Sequence, residues 1–323
     1  MLITGSWFEF QHPNPYEGAW NPVTMRFTAD QWRAMITDMK NIGMEYLVLM
    51  NCAWENKTFY KSRHFESMDI ACPDPMSVMF ETADELGMKI FVANDMFDPS
   101  FERCCDMQHM FTSPEVWKRR ESAMVELVER FGHHNSFYGW YWMNELDIFP
   151  NYSDVFIEYV NRSRKFADSL AAGKKTLIAP YGTFHLVADD GFCRQLERLD
   201  VDYIAYQDEI GVRKANVEWT PLYFEQLRKA HDKVGRAALW ADMETFEFEG
   251  RIYKSPLHAA PVSRVIRQLE AISPFVDRVL IYEYPGIMSR PGSAAHIATP
   301  GASELYVGYE NYRNAFLRDS RTK

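Results

Sequence analysis

Phe137-Tyr138-Gly139-Trp140-Tyr141-Trp142-Met143-Asn144-Glu145 is an apolar, aromatic run that ends abruptly in an amide and a carboxylate. Such a run reads as a strand buried on both faces, whose last residues emerge into a polar site. In a parallel barrel the C-terminal strand ends carry the reacting groups, which makes Glu145 the first chemical candidate and Asn144 its neighbour.

The same pattern extends in both directions. Upstream, Leu2 to Phe10 reads as a first strand, followed by a long Pro- and Asn-rich loop from Gln11 to Phe27. Thr28 with Gln31 makes a capping box, and Trp32, Met35, Ile36, Met39 and Ile42 then recur at helical spacing until Gly43. Glu45 to Asn51 is a strand, Pro75 to Leu86 a helix stopped by Gly87, and Met88 to Asp95 a strand ending in Asn and Asp. Ser113 and Pro114 open the helix that Gly132 closes just before the central run.

Downstream, a helical face from Phe156 to Leu170 ends at Gly173, and Thr176 to Tyr181 is a fifth strand. After a shorter helix from Asp189 to Leu199, Tyr203 to Asp208, Ala237 to Glu244 and Arg278 to Tyr284 supply three more strands. Helices over Leu222 to Val234, Val262 to Ile272 and Glu304 to Phe316 follow them in turn. Strict βα alternation predicts a (β/α)8 TIM barrel, one domain over residues 1–323 with long strand-end loops. An open doubly wound sheet is the runner-up; its Gly-rich phosphate turn is missing after the first strand, where Glu9 is followed by Gln, His and Pro.

Composition narrows the function. A chain of 323 residues with 47% hydrophobic residues buries a barrel-sized core. A net charge of -10 and a pI near 5.4 disfavour nucleic acid and anionic membrane surfaces. Without a signal-like start or a spanning segment the chain reads as cytoplasmic as written, or secreted or periplasmic if a signal peptide was removed. Five cysteines with no CxxC pair suggest neither a disulfide framework nor zinc, and no metal or cofactor is expected.

The strand ends collect Glu9, Asn51, Asp95, Asn144, Glu145, Tyr181, Tyr206, Asp208, Asp242, Glu244, Tyr282 and Glu283. Two carboxylates flanking a glycosidic bond are the minimal apparatus of a glycosidase. An Asn-Glu pair on strand four and a Glu on strand seven resemble the large retaining glycoside-hydrolase clan built on this barrel, clan A. More narrowly, Gly5-Ser6-Trp7-Phe8-Glu9-Phe10-Gln11, Tyr203-Ile204-Ala205-Tyr206-Gln207-Asp208 and Trp240-Ala241-Asp242-Met243-Glu244 resemble a bacterial family of uncharacterised, glycosidase-like barrels. The resemblance implies Glu145 as acid/base, Asn144 as partner of the sugar 2-hydroxyl, Glu244 as nucleophile and Tyr206 as a donor to it. Strand eight departs from the clan, with Tyr282 and Tyr284 where a Trp platform is common.

Asp242 and Glu247 compete with Glu244, because strand register decides which carboxylates turn inward. Trp7, Asn51, Asp95, Glu9, Asp208, Tyr282 and Glu283 are candidate substrate contacts, and Trp20, Trp54 and Trp219 are further aromatics able to stack on a sugar. Two other functions fit the same strand ends. One is a metal-dependent sugar isomerase or epimerase using Glu145, Asp208, Asp242, Glu283 and His185; the other is a barrel that binds carbohydrate without chemistry.

Overall fold

The computed structural model describes residues 1–94, 107–143 and 145–321. Eight parallel strands close into a barrel: β1 (Ile3–Phe8), β2 (Tyr46–Leu49), β3 (Lys89–Ala93), β4 (Phe137–Tyr141), β5 (Lys175–Ile178), β6 (Tyr203–Gln207), β7 (Ala238–Glu244) and β8 (Arg278–Tyr282). They pair in the cyclic order β1-β8-β7-β6-β5-β4-β3-β2. A helix follows each one: α1 (Ala29–Asn41), α2 (Pro75–Leu86), α3 (Pro114–Phe131), α4 (Asp154–Leu170), α5 (Asp190–Arg198), α6 (Thr220–Val234), α7 (Val262–Ile272) and α8 (Ala302–Arg321). This is the expected (β/α)8 barrel. Among the described residues no helix is long and apolar enough to cross a membrane.

Local chemistry accounts for the helix boundaries. Thr28 accepts from the Gln31 amide while the Gln31 side chain accepts from the Thr28 amide, so α1 starts on the predicted capping box. Ser113 caps α3 and Pro114 fills its first turn, where no amide donor is needed. Gly43, Gly87 and Gly173 follow their helices at positive φ, as expected, and Gly235 does the same after α6. Gly132 does not; it stays right-handed at φ -60.

The barrel interior is filled at its N-terminal end by rings from non-adjacent strands. Tyr46 of β2 meets Trp240 of β7 at 5.1 Å, Phe91 of β3 meets Tyr203 of β6 at 5.9 Å, and the Tyr138 and Tyr203 hydroxyls are 2.7 Å apart. Strands this far apart in the ring touch only across its axis, so these rings plug the bottom and leave space only toward the C-terminal ends. One layer higher, Trp7 of β1 packs edge-on against Tyr141 of β4 at 5.9 Å.

The strands leave the ladder earlier than the sequence suggests. β4 ends at Tyr141, although the Trp142 amide still reaches the Leu177 carbonyl at 2.9 Å, and β1 ends at Phe8. The stretch from Glu247 to Pro261, one of the segments joining a strand end to the next helix, holds most of a hairpin of Phe246–Phe248 paired with Leu257–Ala259. Cys52, Cys72 and Cys193 are buried and unpaired as disulfides.

Candidate active site

The C-terminal strand ends open into a cavity of about 940 Å³. Its chemistry is set by Glu145 just after β4, Asp242 and Glu244 on β7, Gln207 on β6 and Tyr282 on β8. Glu145 is partly buried, with both oxygens held: the Tyr141 hydroxyl donates to Oε1 at 2.9 Å and Gln207 Nε2 donates to Oε2 at 2.8 Å. Burial pushes its carboxyl up to about 7 against the pull of those two donors, so the group carries a proton for much of the time at neutral pH.

Glu244 is the last residue of β7 and is 4% exposed. Its Oε2 accepts from the Val212 amide at 2.8 Å. Its backbone is clamped from behind: the amide donates to Asp208 Oδ1 at 3.0 Å, and the carbonyl accepts from Gln268 Nε2 at 2.9 Å and Arg264 Nη2 at 3.1 Å. Gln268 also donates to Asp208 Oδ2 at 2.8 Å, tying β6, β7 and α7 together beneath the carboxylate. Burial, and then the Asp208 charge, hold the Glu244 carboxyl well above the usual carboxylate range. Asp242 is raised in the same way, first by burial and then by Glu145, and its Oδ1 has no hydrogen-bond partner among the described residues.

Several predicted contacts are placed elsewhere. Tyr206 is not a donor to Glu244: its hydroxyl lies 3.0 Å from His231 Nε2 and accepts from Tyr152 at 3.3 Å, on the helix side of β6. His231 Nδ1 donates to the Ala237 carbonyl at 2.9 Å, which leaves Nε2 to accept from Tyr206. Asp208 lies behind Glu244 rather than in the cavity, and Gln207 between them faces inward. Three consecutive polar side chains at this strand end hide the inside-outside alternation, which is why the sequence chose the wrong pair. Trp7 is fully buried beneath the site and offers no face to a ligand. Trp20 is equally buried; a Cβ on Gly286, whose φ is +77, would sit 2.1 Å from its ring, so the loops after β1 and β8 interlock there.

Trp54 does line the cavity, whereas Trp219 is exposed at the start of α6. Glu247 does not line it and pairs with Arg264 at 3.4 Å. Asp95 and Asn144 lie outside the described residues.

Glu9, Asn51 and Glu283, expected as substrate contacts, are fully buried and do not line the cavity. The Tyr282 hydroxyl donates to Glu9 Oε1 at 2.7 Å; Glu9 Oε2, both Glu283 oxygens and both Asn51 polar atoms have no partner among the described residues. Burial pushes Glu9 up to about 8 against the Tyr282 hydrogen bond, while Glu17 and Glu145 push it further. Folded Glu9 thus keeps a proton that the unfolded chain loses near 4.5. The stability tied to that proton is complete below about pH 4.5 and disappears as pH rises through about 8. Glu9→Gln, neutral at every pH, is expected to melt close to the wild type at pH 4.5 and about 7 °C above it at pH 8.5. Differential scanning calorimetry at both pH values reads this, and a variant that tracks the wild type at both would show that Glu9 is ionised in the fold.

The ligand set of the isomerase reading is not gathered. Asp208 and Glu283 do not line the cavity, and His185 pairs with Asp147 at 3.2 Å. Among the described residues no group of three His, Cys, Asp or Glu side chains is placed to hold a metal ion. The sequence did not single out Gln207, Val212 or Lys214; Lys214 Nζ reaches Glu209 at 3.2 Å and sits 4.7 Å from the Tyr181 ring centre.

Solved structures share this fold at low identity. A proposed alpha-L-fucosidase from Bacteroides thetaiotaomicron VPI-5482 aligns with a TM-score of 0.75 at 18% identity, over 97% of this chain and 94% of its own. An endo-1,4-beta-D-mannanase from Thermotoga petrophila RKU-1 aligns with a TM-score of 0.64 at 11% identity, over 97% of this chain and 100% of its own. An endo-1,4-beta-mannanase from Rhizomucor miehei gives 0.62 at 10% identity, over 97% and 95%. No curated protein matches the sequence. Residues 3–295 match the model of the family described as Domain of unknown function (DUF4434), and the chain belongs to that family.

Proposed function

We propose that the protein is a glycoside hydrolase that works by double displacement, with Glu145 as acid/base and Glu244 as nucleophile. The observation that carries the reading is the meeting of these two carboxyls, from β4 and β7, on one cavity, with Glu145 raised to about 7 by burial. The mannanases and the proposed fucosidase that share the fold support the same class of chemistry.

In the first step the Glu145 carboxyl gives its proton to the glycosidic oxygen while a Glu244 carboxylate oxygen attacks C1. The C1–oxygen bond breaks, the aglycone leaves as an alcohol, and a glycosyl ester forms on Glu244. In the second, Glu145, now a carboxylate, takes a proton from water as the water oxygen attacks C1 and releases Glu244. Gln207 and Tyr141 hold Glu145 in place through both steps.

Double displacement needs carboxyls about 5 to 5.5 Å apart, and single displacement about 6.5 to 9.5 Å. Proton NMR of the first sugar released from an aryl glycoside panel separates the two. The expected product keeps the anomeric configuration of the substrate; an inverted first product ends the nucleophile role of Glu244.

A further inference from the structure

One wall of the cavity is a ladder of four aromatic rings. Tyr282 of β8 stands at its foot with its hydroxyl on Glu9. Phe246 packs edge-on against Tyr282 at 5.8 Å, Phe248 against Phe246 at 5.7 Å, and Tyr253 against Phe248 at 5.7 Å. All four line the cavity. The lower three are held by their neighbours, whereas Tyr253 at the top is 49% exposed.

Tyr253 is also held in the left-handed region, at φ +61, which a non-glycine residue adopts only when its surroundings impose it. The loop after β1 is hydrogen-bonded to this turn and hairpin. Asn14 Nδ2 donates to the Tyr253 carbonyl at 3.2 Å, and the Leu257 amide donates to the Glu17 carbonyl at 3.1 Å. Tyr16 of that loop, 63% exposed, lines the same rim. Two loops from different staves are thus tied together to present exposed rings above the reacting carboxyls.

The cavity, about 940 Å³, sits at the top of the range of about 300 to 1,000 Å³ that encloses a drug-sized ligand, and a single pyranose would leave much of it empty. The side on which a further ring lies follows from the stave order. The foot of the ladder, Tyr282, is on β8, four staves from β4 in a ring of eight, and its other three rings follow β7, three staves from β4, so the ladder rises across the barrel from Glu145. A general acid stands on the side of the leaving group, so a ring over the ladder belongs to the part of the substrate that stays with the nucleophile.

We infer that Tyr253, at the head of this ladder, is the platform of a second sugar subsite on the glycone side, and that the substrate offers at least two linked pyranose rings there. The inference rests on the glycosidase reading above. A pyranose presents a C–H face to an aromatic ring and hydroxyls around its edge, which suits an exposed Tyr whose rim neighbours are polar.

The test pairs 4-nitrophenyl glycosides that share a leaving group and differ by one ring: glucoside with cellobioside, mannoside with mannobioside, galactoside with galactobioside. The wild type is expected to prefer the two-ring member of its best pair. Tyr253→Ala should lower the two-ring to one-ring ratio of kcat/KM by about tenfold, and Tyr253→Phe should restore it. A ratio that Tyr253→Ala leaves unchanged, or that never favours two rings, overturns the inference while leaving the glycosidase reading intact. Failure of the glycosidase reading shows instead as no turnover of any pair by the wild type. Titration of cellobiose, mannobiose and galactobiose against their monosaccharides, followed by tryptophan fluorescence, then decides the subsite: tighter two-ring binding that Tyr253→Ala removes supports it, and equal affinities overturn it.

Discussion

Glu145→Gln is expected to lower kcat/KM by about 10³-fold on a glycoside with a sugar or alkyl leaving group, and by much less on a 4-nitrophenyl glycoside. An alkoxide cannot leave without a proton, whereas nitrophenolate can, so the size of the loss should grow with the basicity of the leaving group. Gln keeps the shape of Glu and one acceptor oxygen for the Gln207 donor, while its amide nitrogen can donate to a Tyr141 hydroxyl turned to accept, so the two contacts need not collapse.

The pH profile gives an independent reading. With Glu145 raised to about 7, wild-type activity that needs the protonated acid should fall as pH rises through that value. In Glu145→Gln that alkaline limb should vanish, because no proton remains to be lost. Two results would remove Glu145 from the mechanism: a loss that is the same for every leaving group, or an alkaline limb that survives the substitution. A variant indistinguishable from wild type in all assays, with sugar binding retained, would favour the carbohydrate-binding barrel without chemistry.

The barrel was legible because its signals are local and repeat. Capping residues at Thr28 and Ser113, helical stripes ending at glycine, and unbroken apolar strands each depend on neighbours a few positions away. The placement of Glu145 and Glu244 at strand ends was legible for the same reason. What failed was the facing of side chains at β6, where Tyr206, Gln207 and Asp208 are all polar and the strand gives no alternation to count. Tyr206 stood among the site candidates and is hydrogen-bonded to a helix histidine; Gln207 was not among them and holds Glu145.

The aromatic wall was hidden for a different reason. Phe246, Phe248 and Tyr253 lie in a hairpin whose pairing with Leu257–Ala259 closes only in the folded chain, and the loop after β1 that fixes Tyr253 is more than 200 positions away in sequence, an Asn14 to Tyr253 separation of 239. Tryptophan drew attention instead. Of Trp7, Trp20, Trp54 and Trp219, only Trp54 lines the cavity, because the large ring that suits a sugar suits a core equally well.

Glu244→Gln is expected to abolish turnover, by at least about 10⁴-fold in kcat, on every glycoside whatever its leaving group. Here the leaving group offers no escape, since without the carboxylate no glycosyl ester forms. The competing candidate on the same strand is Asp242, two residues earlier and also facing the cavity. Both are buried and raised, and with Asp208 they crowd three carboxyls into one corner, so they cannot all be ionised at neutral pH. Donors decide where the charge settles. Asp208 accepts from Gln268 and the Glu244 and Ile210 amides, and Glu244 accepts from the Val212 amide, whereas Asp242 Oδ1 has no donor among the described residues. On this count of donors Asp242 is expected to keep its proton longest, which would suit a hydrogen bond to a sugar hydroxyl rather than an attack on C1. On this argument Asp242→Asn retains a measurable rate while Glu244→Gln does not, and the double variant Glu145→Gln with Glu244→Gln is barely worse than Glu244→Gln alone, since the two groups act on one transition state. Trapping with a slow-leaving 2-fluoro glycoside and peptide mass mapping would place the ester directly. A label on Asp242 would exchange their roles, and the absence of any label at saturating reagent would end double displacement.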